Sequence, residues 1–183
     1  MKVSHALVVP VLFFFSIPLI GQKQSAPTPT PVPTACGDLN VHMTVKLDPA
    51  PHTPQQPDTG KALIYFIQDI GVPPLYRPDW TTKAGIDGKW VGANQRNSYF
   101  FVPVDPGEHH LCVSYQWRFS PFSRLSTVEL AHLSAEAGKS YFYRVTIIHS
   151  EGGPVSLILN QIDSDEGNYV VFTEPLATAH IRR

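Results

Sequence analysis

The sequence predicts an all-β protein, namely an antiparallel β-sandwich of about eight to nine strands with one short helical turn near the C-terminus. Short apolar or alternating segments recur along the chain, and Gly, Pro, Asn and Asp separate them. No segment carries the apolar periodicity of a long amphipathic helix. Because two amphipathic sheets can bury each other's apolar faces, a sandwich is the simplest arrangement of these strands.

The N-terminal residues differ in composition from the rest of the chain. Lys2 precedes an apolar run over 6–20, which is too short to span a bilayer comfortably as a helix and predicts a signal peptide over 1–21. An uncleaved signal anchor is the alternative, and it would leave the same domain outside the membrane. Residues 22–35 contain four prolines and predict an extended linker, with a proline-rich ligand as the alternative. The domain itself covers 36–183.

The charge pattern argues against some classes of partner. The chain has 14 Lys and Arg against 15 Asp and Glu, and loss of Lys2 with the signal peptide changes the formal net charge from −1 to −2. Neither sign forms a long block, and basic residues such as Arg124 and Arg144 are scattered. A phosphate track needs clustered cations and stacking aromatics, so we expect no nucleic-acid partner. We expect contact with a membrane only transiently, through the signal peptide.

The chain has two cysteines, Cys36 directly after the linker and Cys112 in a predicted strand. In an oxidising compartment two cysteines of one small domain most simply pair, so we predict a disulfide that fastens the start of the domain to this strand. The chain-entropy model gives so long a closed loop a stabilisation of roughly 4–5 kcal/mol. Lipidation of Cys36 is the alternative, because Thr34-Ala35-Cys36 faintly resembles a lipoprotein cleavage box.

The strand pattern begins after the linker. Residues 41–47 alternate apolar and polar side chains and predict a half-buried strand. Residues 61–69 are apolar almost throughout, as is typical of a central strand covered on both faces. Residues 83–117 contain strand-like runs separated by turns at Asp87-Gly88 and Asp105-Pro106-Gly107. This region predicts a β-meander.

The C-terminal part predicts further strands and a helical turn. Residues 125–133 and 140–149 flank a glycine turn and predict a hairpin, and residues 155–162 predict one more strand. Asp163 and Glu166 are three residues apart and fit a capping box that opens a helical turn. A calcium-binding loop is the alternative, although the remaining oxygen ligands and the closing Glu of the hand motif are missing.

The sequence predicts no catalytic residue, cofactor or metal ion, and we expect that the protein is not an enzyme. Ser, His and Asp are present, but there is no Gly-x-Ser-x-Gly elbow, and Cys112 is assigned to the disulfide. His109 and His110 are adjacent, so on a strand their rings point to opposite faces and cannot bind one ion. We expect His109 to be partly buried and hydrogen-bonded and His110 to be solvated. A triad assembled in three dimensions keeps a periplasmic hydrolase as a remote alternative.

Four aromatic side chains lie in or beside predicted turns, namely Tyr76, Trp80, Trp90 and Trp117. Rings in such places either cap the core or contact a ligand such as a pyranose. Packing at the core and its rim is the simpler role. A glycan-binding surface built from these four side chains is the functional alternative.

Several motifs together resemble a known family. They are the strand motif at 61–66, the motif at 86–92 (IDGKWVG), Ser98-Tyr99-Phe100-Phe101, Asp105-Pro106-Gly107-Glu108-His109, the motif at 137–142 (AGKSYF) and residues 163–167. In order and spacing they resemble the bacterial domain of unknown function numbered 2846 across roughly 61–167, and the chain is similar to acidobacterial members of that family. The Asp-Gly-Lys-x-Val-Gly and Pro-Gly-Glu-His elements are also similar to PEGA domains. The resemblance implies an exported or envelope-associated β-sandwich and no established activity.

These observations lead to one expectation about function and one main alternative. The expectation is an exported, non-enzymatic β-sandwich, periplasmic or extracellular, that acts as an interaction or structural module of the cell envelope. Its partner is then an unknown envelope protein. The alternative is a carbohydrate-binding module that uses the loop aromatics to hold a glycan.

Overall fold

The computed structural model describes residues 35–38, 40–69, 79–116, 127–149 and 155–182. The predicted signal peptide and all but the last residue of the predicted linker lie outside these ranges. The described part contains ten strands and one helix: β1 Met43–Asp48, β2 Ala62–Asp69, β3 Thr81–Ile86, β4 Lys89–Gln95, β5 Ser98–Val104, β6 Gly107–Gln116, β7 Val128–Ala135, β8 Ser140–His149, β9 Val155–Ile162, α1 Ser164–Thr173 and β10 Leu176–Ile181. The predicted all-β sandwich is confirmed, and β10 is a strand that the sequence pattern did not predict.

The larger sheet has six strands in the order β1-β10-β5-β2-β8-β9. β2 lies between antiparallel β5 and parallel β8, and its residues from Ala62 to Gln68 are all buried. Its continuous apolar sequence therefore reflects a strand that is covered on both faces. The parallel pairs β2–β8 and β5–β10 make this sheet mixed, although most neighbouring strands are antiparallel.

The smaller sheet has four antiparallel strands in the order β4-β3-β6-β7. β3 and β4 are joined by Asp87 and Gly88, which both adopt positive φ angles of 49° and 82°. An Asp-Gly pair favours such a turn because its backbone twist matches that of the two strands. The register of the hairpin shifts between Ala84 and Gly85. At this shift the carbonyl oxygen of Ala35 and the ring of Trp90 lie close to Gly85, so a side chain at this position would be crowded.

Two predicted connections are wrong. Residues 83–117 do not form a meander, because β5 crosses to the larger sheet beside β2 and β6 returns to pair with β3. Residues 125–133 and 140–149 do not form a hairpin, because β7 pairs with β6 whereas β8 pairs with β2 and β9. Turn residues mark where a chain reverses direction. The sheet that the next strand joins is decided by where its apolar side chains can be buried.

Alternate residues of β2 point into two separate apolar clusters, as the period of a strand requires. The main cluster lies between the sheets and includes Ile64, Phe66, Phe100, Leu111, Val113 and Val145. The second cluster lies on the outer face of the larger sheet and consists of Leu63, Tyr65, Ile67, Tyr99, Phe142 and Val171. The second cluster therefore needs a cover of its own, and α1 supplies part of it.

The edges of the two sheets lie beside each other. β4 runs alongside β1 and β10, and β7 runs alongside β9. At the second junction the hydroxyl of Thr127 donates to the carbonyl oxygen of Val155 at 2.6 Å. Neighbouring edges of this kind shield backbone groups that an isolated edge strand would offer to another chain.

The start of the domain crosses the outer face of the smaller sheet as a strap, residues 35–38 and 40–42. The predicted disulfide is confirmed, since Cys36 is bonded to Cys112 of β6 with a Cα–Cα distance of 5.3 Å. Next to it the indole N–H of Trp90 donates to the carbonyl oxygen of Asp38 at 2.7 Å. The disulfide and this hydrogen bond both hold the strap on the sheet.

A buried lysine also holds the strap. Lys83 of β3 is 3% exposed, and its ammonium group donates to the carbonyl oxygen of Val41 at 2.6 Å. The same ammonium group lies 4.3 Å from the centroid of the Trp90 ring, within the range of a cation–π interaction. Burial lowers the pKa of Lys83 to about 8, although the negative charge of Asp38 acts to raise it.

Candidate interaction surface

Helix α1 begins where the sequence predicts a helical turn. Oδ1 of Asp163 accepts hydrogen bonds from the backbone N–H groups of Asp165 and Glu166, each at 2.9 Å. This arrangement confirms the predicted N-cap, because the cap satisfies N–H groups that have no partner within the helix. The helix then continues for ten residues instead of ending after one turn. The carboxylate of Glu166 contacts Arg144 of β8 at 2.8 Å.

The inner face of α1 packs on the outer cluster of the larger sheet. Gly167 and Val171 are buried, and they lie four residues apart on one side of the helix. A Cβ atom at Gly167 would overlap the ring of Phe142. The small residue therefore lets the helix approach the sheet closely enough to cover Phe142.

The outer face of α1 exposes two large aromatic side chains. Tyr169 is 69% exposed and Phe172 is 59% exposed. Together with the exposed Asp165 they occupy positions i, i+4 and i+7, which lie along one side of a helix. We call Asp165, Tyr169 and Phe172 the α1 stripe. A stripe of this kind is what a helix presents when it inserts into the groove of a partner protein.

The helix and its two flanking residues are acidic. Residues 163–174 contain four carboxylates, and they contain no Lys, Arg or His. Asp163 serves as the N-cap and Glu166 contacts Arg144, whereas Asp165 is exposed beside the two aromatic rings. A surface that joins aromatic rings to a carboxylate is complementary to an apolar site with a basic rim.

A small cavity lies beside the C-terminal half of α1. It has a volume of about 80 Å³ and is lined by His52, Thr53, Gln55, Tyr65, Tyr99, Phe101, Val171 and Leu176. The hydroxyl of Tyr65 donates to the carbonyl oxygen of Gln55 at 3.2 Å and accepts from its N–H at 2.8 Å. Burial, with the nearby Tyr65 and Asp48, raises the pKa of Tyr99 to about 12. The hydroxyls of Tyr65 and Tyr99, whose pKa values are both raised, therefore stay protonated, and the lining of the cavity is mainly apolar.

The four predicted ligand aromatics do not all lie in the described part of the chain. Tyr76 and Trp117 lie outside the described residues. Trp80 directly precedes β3, whereas Trp90 pairs with Gly85 near the other end of the same hairpin, so the two are roughly 16 Å apart along the strand direction. Both are partly buried, and Trp90 packs against the disulfide. The glycan-binding surface stays a prediction.

His109 forms a bridge between two turns, as expected for a partly buried and hydrogen-bonded side chain. Its Nδ1 lies 2.7 Å from Oδ2 of Asp87, and its Nε2 lies 2.8 Å from the carbonyl oxygen of Asp105. Burial lowers the pKa of His109, but these acceptors outweigh it and raise the pKa overall. Since both ring nitrogens contact acceptors, the side chain of His109 links the turn at Asp87 to the turn at Asp105. His110 points to the opposite face and is exposed, as expected.

Two features are absent from the part of the chain that the structure describes. No helix among them is long and apolar enough to cross a membrane. No group of three or more His, Cys, Asp and Glu side chains among them could hold a metal ion.

The fold defines the class of protein as an all-β sandwich domain with a disulfide-bonded N-terminal strap. No family model, curated protein or solved structure matches this chain. The resemblance to the bacterial domain of unknown function numbered 2846 therefore stays a prediction.

Sequence reasoning did not find the exposed aromatics of α1. The motif NYVVFT contains adjacent β-branched and aromatic residues, which fit a strand as well as a helix. The signal that could have found the α1 stripe was the predicted N-cap, because extending the helix from it places Tyr169 and Phe172 on one side.

Proposed function

We propose that this protein is an exported, non-enzymatic β-sandwich that acts as an interaction module of the cell envelope, and that the α1 stripe is its contact surface. The disulfide between Cys36 and Cys112 supports export, because such bonds persist in oxidising compartments. The observation that carries the proposal is the exposure of Tyr169 and Phe172 on one side of a helix that is itself anchored to the sheet.

Exposure of two aromatic rings to water is unfavourable, and this supports a partner protein that covers them. An aromatic side chain buries about 150–250 Å² when it is covered, so the exposed fractions of Tyr169 and Phe172 correspond to roughly 250 Å² of surface. At about 25 cal/mol per Å², covering this surface would contribute about 6 kcal/mol before the costs of association. Tyr is also enriched among the residues that dominate interface energies.

The occupant that fits the α1 stripe best is a protein with an apolar groove and a rim of Lys or Arg. The rim follows from Asp165 and from the lack of basic residues over 163–174. A groove fits because residues three apart on a helix point about 60° apart, which suits the two walls of a groove better than one flat sugar ring. Since the sheet edges lie beside each other, helix insertion is favoured over strand addition.

The first test is site-specific cross-linking in cells. A photoreactive amino acid is placed at Tyr169 and, as the matched control, at Leu130, which is 47% exposed on the other sheet. We expect a discrete cross-linked protein from position 169 and none from position 130. Equal products from both positions, or products that contain only glycan, would contradict the proposal.

The second test uses the purified cross-linked partner. We expect the double variant Tyr169→Ala and Phe172→Ala to weaken binding by about a hundred-fold or more, as the loss of interface anchors does. Affinity should also fall as salt is raised, because the basic rim contacts Asp165. An unchanged affinity in the double variant would refute the assignment of the surface. Loss of retention on cell-wall polysaccharide in Trp80→Ala would instead support the carbohydrate-binding alternative.

A further inference from the structure

The cavity beside α1 lies on the outer face of the larger sheet and is partly open to solvent. The loop over 49–60 borders it on one side and the C-terminal half of α1 on the other. Two hydrogen bonds between Gln55 and the hydroxyl of Tyr65 hold this loop on the sheet. The sheet itself contributes three aromatic side chains, Tyr65, Tyr99 and Phe101.

Among the described residues, two polar atoms of this cavity lack a hydrogen-bond partner. The side chain of Tyr99 is 1% exposed, and its hydroxyl forms no hydrogen bond with any of these residues. Nε2 of His52 is also buried without a hydrogen bond, because its distance of 3.6 Å to Oδ2 of Asp48 is too long for one. Buried polar groups are normally paired, so these two atoms indicate a place for a polar group of a ligand.

Both atoms lie at the same end of the cavity. The strand register places Asp48 of β1, Leu176 of β10 and Tyr99 of β5 opposite one another in one row. The charge of Asp48 acts on the hydroxyl of Tyr99, and its carboxylate is also close to His52. Asp48 is therefore a common neighbour of the two atoms. The cavity has a polar end beside Asp48, whereas most of its lining is apolar.

We propose that this cavity binds a small neutral molecule in which a hydroxyl or carbonyl oxygen is joined to an apolar body. The oxygen accepts a hydrogen bond from the O–H of Tyr99, and Nε2 of His52 forms the second hydrogen bond with the same polar group. An anion is disfavoured because Asp48 repels it and the lining contains no Lys or Arg. A cation is disfavoured because an ammonium group cannot accept the proton of Tyr99.

The volume of the cavity limits the size of the ligand. It is about 80 Å³, roughly half of the volume of about 150 Å³ that holds benzene in an engineered protein cavity. The cavity therefore holds about three or four non-hydrogen atoms, and a longer apolar chain would extend through the open side. The proposal does not rest on the α1 stripe, because Tyr169 and Phe172 do not line the cavity.

The test is an NMR titration of the purified full chain with 1-propanol, which has the size that the cavity holds. We expect saturable shifts of the methyl resonances of Val171 and Leu176, with a dissociation constant in the millimolar range, because so small a ligand forms few contacts. The matched reference is Leu130, whose exposed methyl groups lie on the other sheet and should report only the change of solvent. Lack of saturation at Val171, or the same saturation at Leu130, would overturn the proposal.

Two variants test the hydrogen bonds. Tyr99→Phe and His52→Phe should each weaken binding of 1-propanol about five-fold, the effect of losing one hydrogen bond. Tyr99→Phe should also be at least as stable to urea as the wild type, because the hydroxyl that it removes has no partner among the described residues. The control Tyr143→Phe removes a hydroxyl from the opposite face of the larger sheet and should leave the affinity unchanged. Unchanged affinity in Tyr99→Phe or in His52→Phe would contradict the assignment.

Charged analogues test the class of ligand. Propylammonium and propionate carry the same apolar chain as 1-propanol, and we expect each to bind about ten-fold more weakly or not at all. Propylammonium that binds as tightly as 1-propanol would show that Asp48 selects a cation, and it would overturn the neutral class. Propionate that binds as tightly would overturn it as well, because the ligand would then be an anion.

Discussion

Replacement of Lys83 by methionine should change how the stability of this protein depends on pH. Lys83 is buried between the strap and the Trp90 ring, and burial lowers its pKa from 10.5 to about 8. Between these two values the unfolded chain binds more protons at this residue than the folded chain does. The free energy of unfolding contributed by Lys83 therefore rises with pH over this window.

The expected magnitude follows from the two pKa values of Lys83. From about pH 7 to about pH 9.5, the lysine should make the wild type more stable relative to Lys83→Met by about 2 kcal/mol. Methionine has a similar length and no charge, so it removes the proton equilibrium while filling the same space. Methionine also loses the hydrogen bond to Val41. This loss lowers the free energy of unfolding at both pH values, so it cancels when the two pH values are compared.

The assay is urea unfolding of both proteins at the two pH values, with the disulfide intact. The upper pH stays below 10, because the tyrosines with raised pKa values, such as Tyr99 and Tyr143, affect stability only above their ordinary pKa of 10.0. Lys46→Met, at an exposed position of β1, is the control and should not show the same pH-dependent difference. A stability difference between wild type and Lys83→Met that stays constant with pH would refute the reasoning.

Three other predictions concern single contacts. Replacing Cys36 and Cys112 by serine should lower the free energy of unfolding by about 4–5 kcal/mol, because the bond closes a loop over a separation of 76 residues; urea unfolding measures this loss. His109→Asn should remove a stabilisation that is fully present below pH 6.5 and is lost as pH rises through the raised pKa of the folded state, measured by unfolding at several pH values. Gly167→Ala should destabilise by about 1–3 kcal/mol, because its methyl group overlaps Phe142, as thermal unfolding would detect.

Each of these predictions has its own control. Reduced wild-type protein should match the serine double variant, and equal stability of oxidised and reduced protein would count against the disulfide's role. For His109, an equal loss of stability at every pH would mean that its charge contributes nothing. For Gly167, the neighbouring exposed Asn168→Ala should be neutral or slightly stabilising, since alanine favours helix. A Gly167→Ala variant as stable as Asn168→Ala would show that the helix can move away from the sheet.

Much of the local structure follows from the sequence because its causes are local. The Asp87-Gly88 turn is predicted because few other residues tolerate positive φ at both positions. The N-cap at Asp163 is predicted because a short carboxylate reaches the first free N–H groups of a helix. The disulfide is predicted because two cysteines in an oxidising compartment have a single intramolecular pairing available.

Only the tertiary structure decided which strands are neighbours and which side chains meet. β5 belongs to the larger sheet because its two faces fill two different apolar clusters. The turn residues on either side of β5 do not predict which sheet it joins. The burial of Lys83 depends on the strap, which the disulfide holds on the smaller sheet. The exposure of Tyr169 depends on which side of α1 faces the sheet. Contacts between residues distant in the chain arise from packing of the whole domain, whereas the sequence by itself determined the turns, the cap and the cysteine pair.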